Sequence, residues 1–324
     1  RVFQYQVISG TATWTQLGPD IDGEAAGDLS GIGVSLSSDG SIVAIGAVNN
    51  DGNGTNSGHV RIYQYNNNSW SQLGADINGE AADDKSGRSV SLSSDGLRVA
   101  IGADQNDGNG NYSGHVRIYQ YNNNSWSQLG ADINGEAAYD KSGRSVSLSS
   151  DGSRVAIGAW NNDGNGNDSG HARIYDYDGS TWNQIGIDLD GEAAGDLSGR
   201  DVSLSSDGSR VAIGARSNDG ANGADSGHVR VYSISSGESY QYAWDVDSGG
   251  APSSGTYHAT VSGTTVATGG AYSGTDSITF TLDTAGPLVT LSHSADNNLL
   301  ALSEVVTITA GFSKSMSPTP TVSI

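Results

Sequence analysis

The sequence predicts an all-β protein assembled from repeated four-stranded units, and three observations carry that reading. The tetrapeptide Val-Ser-Leu-Ser begins at Val34, Val90, Val146 and Val202, and Trp14, Trp70, Trp126 and Trp182 keep the same 56-residue interval. A fixed period of this size marks an array of like structural units. The composition is turn-rich, with 47 Gly, 5 Pro and many Ser, Thr and Asn, as in proteins of many short strands. No segment sustains a 3.6-residue apolar period, so helix should be nearly absent.

Within one period the strand signals follow in order. Residues 90–93 alternate, Ser94, Asp95 and Gly96 supply a turn, and residues 98–103 alternate again. A loop around Asp107 and Gly110 leads to a third strand at 115–121, and Asn122 to Asn124 turn the chain into a fourth at 125–130. A lone four-stranded sheet of this kind has two faces to bury, and radial stacking of copies buries both, which predicts a β-propeller. Small residues such as Ala100 and Gly102 suit crowded inner strands, while Tyr119, Tyr121 and Trp126 fill the gaps between blades.

These residues resemble a known family. The segments from Gly87 to Gly96, Val99 to Ala103 and Ser113 to Tyr119 are similar to FG-GAP repeats, related to the propeller of integrin alpha subunits, and the resemblance covers 1–236. Propellers of that family usually have seven blades. Here there are three complete repeats, a leading strand pair at 1–21 and a trailing trio at 202–234. Arg1 opens mid-pattern, since residues 1–5 match 61–65, so the expectation is a processed or partial product.

Beyond 236 the period is lost. Alternating stretches at 240–246, 255–263 and 277–283 are separated by Gly and Ser turns, as in a β-sandwich. This tail resembles bacterial immunoglobulin-like modules of surface proteins and adhesins. Residues 237–283 match the second half of such a module, and 284–324, with Phe312, Met316, Thr319 and Pro320, the first half of another.

Composition excludes several function classes. At 324 residues and 33.1 kDa the chain holds two or three domains. A net charge of -21, with lysines only at 85, 141 and 314, argues against a nucleic-acid partner. No Cys is present, so disulfides and thiol chemistry are excluded, and no apolar run reads as a membrane span or signal peptide.

The sharpest site candidate is the loop after each outer strand. Oxygen-bearing side chains recur at positions 1, 3, 5 and 9: Asp20, Asp22, Glu24 and Asp28; Asp76, Asn78, Glu80 and Asp84; Asp132, Asn134, Glu136 and Asp140; Asp188, Asp190, Glu192 and Asp196. That alternation is how a turn wraps oxygens around Ca²⁺. The bland competitor is a solvated turn whose last Asp accepts backbone amides. The other loop, from Asn49 to Ser57 with copies at Gln105, Asn161 and Ser217, has a single carboxylate per copy and reads as a turn built on Asn and Gly. Integrin calcium loops add to the metal reading by resemblance only.

His59, His115, His171 and His228 recur once per blade, which suits hydrogen-bonded structural residues better than a catalytic group. No nucleophile elbow, zinc-protease helix or phosphate loop occurs, and the expectation is that the chain is not an enzyme. The resulting expectation is an extracellular or cell-surface protein with a structural or adhesive role. It would partner with further copies of itself in a filament joined by strand complementation, or act as a Ca²⁺-dependent propeller binding surface glycans or proteins.

Overall fold

The computed structural model describes residues 1–234 except Ser9 and Ala221, together with 255–259, 278–282 and 290–293. Two compact units divide the chain, Arg1–Ile234 and Ser235–Ile324. Every element among the described residues is a strand; no helix, and so none long enough to cross a membrane, occurs there.

The first unit opens with a hairpin, Phe3–Ile8 paired antiparallel with Thr11–Gln16. Next comes an antiparallel sheet in sequence order, Gly33–Leu36, Ile42–Ala47, His59–Asn66 and Ser69–Gln72. The same order recurs in a sheet starting at Ser89–Leu92 and in one starting at Ser142–Leu148. A three-stranded sheet, Ser198–Leu204, Arg210–Ala215 and His228–Ser233, ends the array. These are propeller-type blades. Each full blade also has a fifth strand the sequence did not announce: Ile77–Asn78 returns to pair with Val60 and His59, and Ile133–Asn134 and Leu189–Asp190 do the same in their blades.

Alternation explains why the blades stack. Along Arg98–Ala103, Val99 and Ile101 point into the core shared with the preceding blade, where Val60 and Ile62 lie, while Ala100 joins Val116 and Ile118 in the core shared with the next. Both faces are therefore dry, and full burial of a side chain such as Ile118 contributes about 1.5–3 kcal/mol. The inner strands pack so closely that a Cβ on Gly102 would lie 1.9 Å from the Gly143 carbonyl oxygen. Equivalent serines bond directly from blade to blade: Ser38 N–H donates to Ser94 O (2.9 Å), Ser94 to Ser150 and Ser150 to Ser206 (2.8 Å each). On the outer side the Trp126 indole donates to Leu73 O of the previous repeat at 2.7 Å, and Trp70 and Trp182 make the same bond to Leu17 and Leu129. The aromatics thus fill the gaps between blades, as their positions predicted.

Among the described residues, the first and last of these sheets each leave one face exposed. Val34 is 64% exposed, where its counterpart Val90 is 7% exposed, and Val229 is 66% exposed, where Val116 is fully buried.

In the second unit Gly255–Ala259, Ile278–Leu282 and Thr290–His293 form a three-stranded antiparallel sheet. Its last pairing crosses the expected division at 283/284. The rest of 237–283 and 284–324, the stretches expected to be halves of immunoglobulin-like modules, lies outside the described residues.

Candidate metal centre at the blade junctions

The structure does not gather the four oxygen-bearing side chains of an acidic loop around one point; it distributes them. The last carboxylates, Asp28, Asp84, Asp140 and Asp196, are buried. Each accepts the N–H of the residue three before it, Ala25, Ala81, Ala137 or Ala193, and the side-chain amide of Asn50, Asn106, Asn162 or Asn218. That is a turn cap. At the third position Asp22, Asn78, Asn134 and Asp190 offer a backbone carbonyl to the guanidinium of Arg61, Arg117, Arg173 and Arg230.

The first and fifth positions face opposite ways. Asp76, Asp132 and Asp188 each fix one oxygen on a glutamine of their own blade, Gln72, Gln128 or Gln184, at 2.6–2.7 Å. Asp20 does so with Gln16 and also pairs with Arg1. Glu24, Glu80, Glu136 and Glu192 reach across to the next blade, where one oxygen faces an arginine and the other a histidine. The result is three clusters, Glu24–His59–Asp76, Glu80–His115–Asp132 and Glu136–His171–Asp188, whose ligand atoms lie within 4.8 Å of one another. Asp190 adds a fourth oxygen near His171, at 3.9 Å. The last copy is incomplete among the described residues: His228 faces Glu192 at 3.5 Å, and the position equivalent to Asp188 is Trp244.

The histidines correct their sequence reading. His59, His115 and His171 are 1% exposed, yet Nδ1 of each has no hydrogen-bond partner. Nδ1 instead stands 3.6 Å from Glu80 in the second cluster, and 3.8 Å from both Glu136 and Asp188 in the third. Burial, reinforced by Arg117, pulls the His115 imidazole down to about 4, against the attraction of Asp132 and Asp84. His171 is likewise lowered to about 4 by burial and Arg173. Both are therefore neutral at pH 7, with a lone pair available. Burial raises the Glu80 and Glu136 carboxyls, against Arg117 and Arg173.

An imidazole nitrogen and two carboxylates, the Asp held through its other oxygen by a glutamine and the Glu by an arginine, form a donor set for a divalent cation. Ligands on a tetrahedral ion with bonds of about 2.0–2.2 Å stand roughly 3.3 Å apart, and the three ligand atoms of each cluster, within 4.8 Å of one another, would have to draw together to hold one. The other loop is a turn, as expected: Asp51 Oδ1 accepts Asn56 N–H at 2.7 Å, Gly54 takes a φ of 116°, and the Asn53 amide clasps the carbonyls of Gly79 and Glu80.

Residues 134–175 match the FG-GAP repeat family, a stretch holding Glu136, Asp140 and His171. No curated protein matches the chain. Among solved structures it is similar to one from Bacteroides uniformis named as a 6-phosphogluconolactonase, at 16% identity and TM-score 0.45, covering 72% of this chain and 60% of that one. A second of that name, from Bacteroides fragilis, gives 11% identity and TM-score 0.42 over 89% and 62%. A periplasmic gluconolactonase of Pseudomonas aeruginosa gives 13% and 0.44 over 90% and 78%. These names correct the expectation that the chain is not an enzyme, because the structures it is similar to include three named as lactonases. At such identities and TM-scores no activity passes to this chain.

Proposed function

We propose that the chain is an FG-GAP repeat scaffold of the cell surface or extracellular space, with a structural or adhesive role, whose successive blades are pinned together by divalent cations. The observation that carries this is the buried, unpartnered Nδ1 of His115 between Glu80 of one loop and Asp132 of the next. An ion there ties two acidic loops to the strand between them, offsets the crowding of carboxylates in a chain of charge -21, and stabilises by mass action. Loop spacing alone points to Ca²⁺. The imidazole donor favours a borderline metal such as Zn²⁺ over Ca²⁺, which takes six to eight oxygens.

Calorimetric titration of chelator-treated protein with Zn²⁺, Mn²⁺ and Ca²⁺, each paired with a melting curve, tests the reading. Saturable binding that raises the melting temperature and weakens in Glu80→Gln supports it, and the strongest of the three ions names the metal class. Unchanged melting with all three overturns it.

The unpaired faces at Val34 and Val229 support a second element, association with another copy through the same pairing that joins internal blades. Sedimentation should show concentration-dependent assembly that Val229→Asp abolishes; a monomer at every concentration refutes it.

A further inference from the structure

Four cations converge on one indole in a chain whose net charge is -21. Around the Trp160 ring lie Arg200 at 4.8 Å, Lys141 at 5.4 Å, Arg216 at 5.9 Å and Arg144 at 6.0 Å from its centroid. The repeat explains the convergence. Arg88, Arg144 and Arg200 stand one period apart at the start of successive inner strands, and Trp160 holds the position filled by Val48, Asp104 and Arg216 in the other repeats. Asp104 is buried and faces Arg88 at 3.9 Å and Arg144 at 3.6 Å. One period later, where the acid would recur, the chain has Trp160, and after that Arg216.

The outcome is an excess of positive charge in one spot. Among the described residues no carboxylate lies within ion-pair distance of Lys141, Arg200 or Arg216. Burial, then the charge of Arg216, pulls the Arg200 guanidinium below its ordinary value; Asp201 opposes this and Arg88 adds to it. The indole Nε1 of Trp160 is buried with no hydrogen-bond partner. Like charges held together beside an unpaired donor are stabilised by an anion, and guanidinium groups match the geometry of carboxylate, sulfate and phosphate oxygens.

We propose that Trp160, Lys141, Arg144, Arg200 and Arg216 form an oxyanion-binding site. The group bound is a carboxylate, sulfate or phosphate, free in solution or carried on an acidic saccharide. The site shares no side chain with the blade-junction clusters.

Calorimetry at constant ionic strength, with sodium sulfate, sodium phosphate, a uronic-acid oligosaccharide and a sulfated oligosaccharide, tests it in the full chain. Saturable binding of at least one probe is expected, with a tenfold or greater loss in Arg200→Gln and in Arg216→Gln. Arg216 is exposed, so its variant keeps the fold if Arg200→Gln does not. Arg210→Gln, which removes an exposed charge elsewhere, should leave affinity unchanged. Binding of the inorganic ions marks a small-ion site, and binding of an oligosaccharide alone marks the saccharide as the carrier; either supports the proposal. No saturable binding of any probe, or an equal loss in Arg210→Gln, overturns it.

Discussion

The tight approach of inner strands makes one substitution a direct measure of blade stacking. Gly46, Gly102, Gly158 and Gly214 occupy one position of the Val-Ala-Ile-Gly-Ala strand, yet their surroundings differ. A Cβ at Gly102 would meet the Gly143 carbonyl oxygen at 1.9 Å, whereas at Gly214 the nearest atom is Asp201 O at 3.7 Å. The obstacle at Gly102 is backbone and has no rotamer to escape through. Reaching ordinary contact at 3.4 Å means moving the next blade by about 1.5 Å and loosening the side chains packed along that junction. Overpacking of this kind costs typically about 1–3 kcal/mol, occasionally more, and Ala recovers roughly 0.5–1 kcal/mol through backbone entropy. Gly102→Ala should therefore destabilise by about 1–2 kcal/mol, or roughly 2–8 °C in melting temperature for a unit of this size. Gly214→Ala should fall within about 0.5 kcal/mol of the parent. Urea and thermal unfolding of the two variants side by side give the answer. Equal stability would show that the junction is not closed by backbone contact at Gly102, and the stacking argument would fail.

Two further outcomes follow from the turns and the outer strands. Hydrogen bonds hold Asp39 (backbone N–H of Ser41 and hydroxyl of Ser37) and Asp207 (hydroxyl of Ser205 and backbone N–H of Ser209) at about 2, below the ordinary 3.8. A depressed folded value means the contribution is complete above pH 3.8 and is lost as pH falls through about 2, so acid melting should steepen in that window and flatten in Asp207→Asn. Trp126→Phe removes the indole donor to Leu73 O and part of the inter-blade packing and should cost about 1–3 kcal/mol, whereas Trp14→Phe, at a side chain 68% exposed, should cost little. Equal denaturation midpoints for the two would refute the inter-blade role of Trp126.

The sequence carried most of the fold because the same local choices recur in every period. Alternation marked the strands, Asp95 and Gly96 marked a turn, and the leading pair and trailing trio of strands both occur. The two-residue strand at Ile77 was hidden, since pairing with Val60 and His59 is a tertiary event that no two residues announce. The site was half legible. Oxygen spacing singled out the loops that supply Glu80 and Asp132 to the candidate cluster, but spacing assumes that one loop closes on itself. Here Asp84 turns inward as a cap and Glu80 leaves for the next blade, where the third donor is a histidine from the strand between two loops. The signal in the sequence is the one-per-blade recurrence of that histidine two residues before an arginine, a pattern equally expected of a structural pair. The absence of local catalytic motifs says nothing about groups assembled from separate repeats, and so it does not exclude an enzyme.

The ladder from Ser38 through Ser94 and Ser150 to Ser206 bears on how such a chain changes length. Every step joins a residue to its own counterpart, so the surface that receives a blade is regenerated by the blade it receives. Excision of one period between equivalent serines joins partners that already fit, and duplication inserts a unit that meets both neighbours on familiar terms. Repeat number can drift in such a chain without any new contact having to be selected, whereas a substitution at Gly102 must be accommodated by a neighbour that did not change with it.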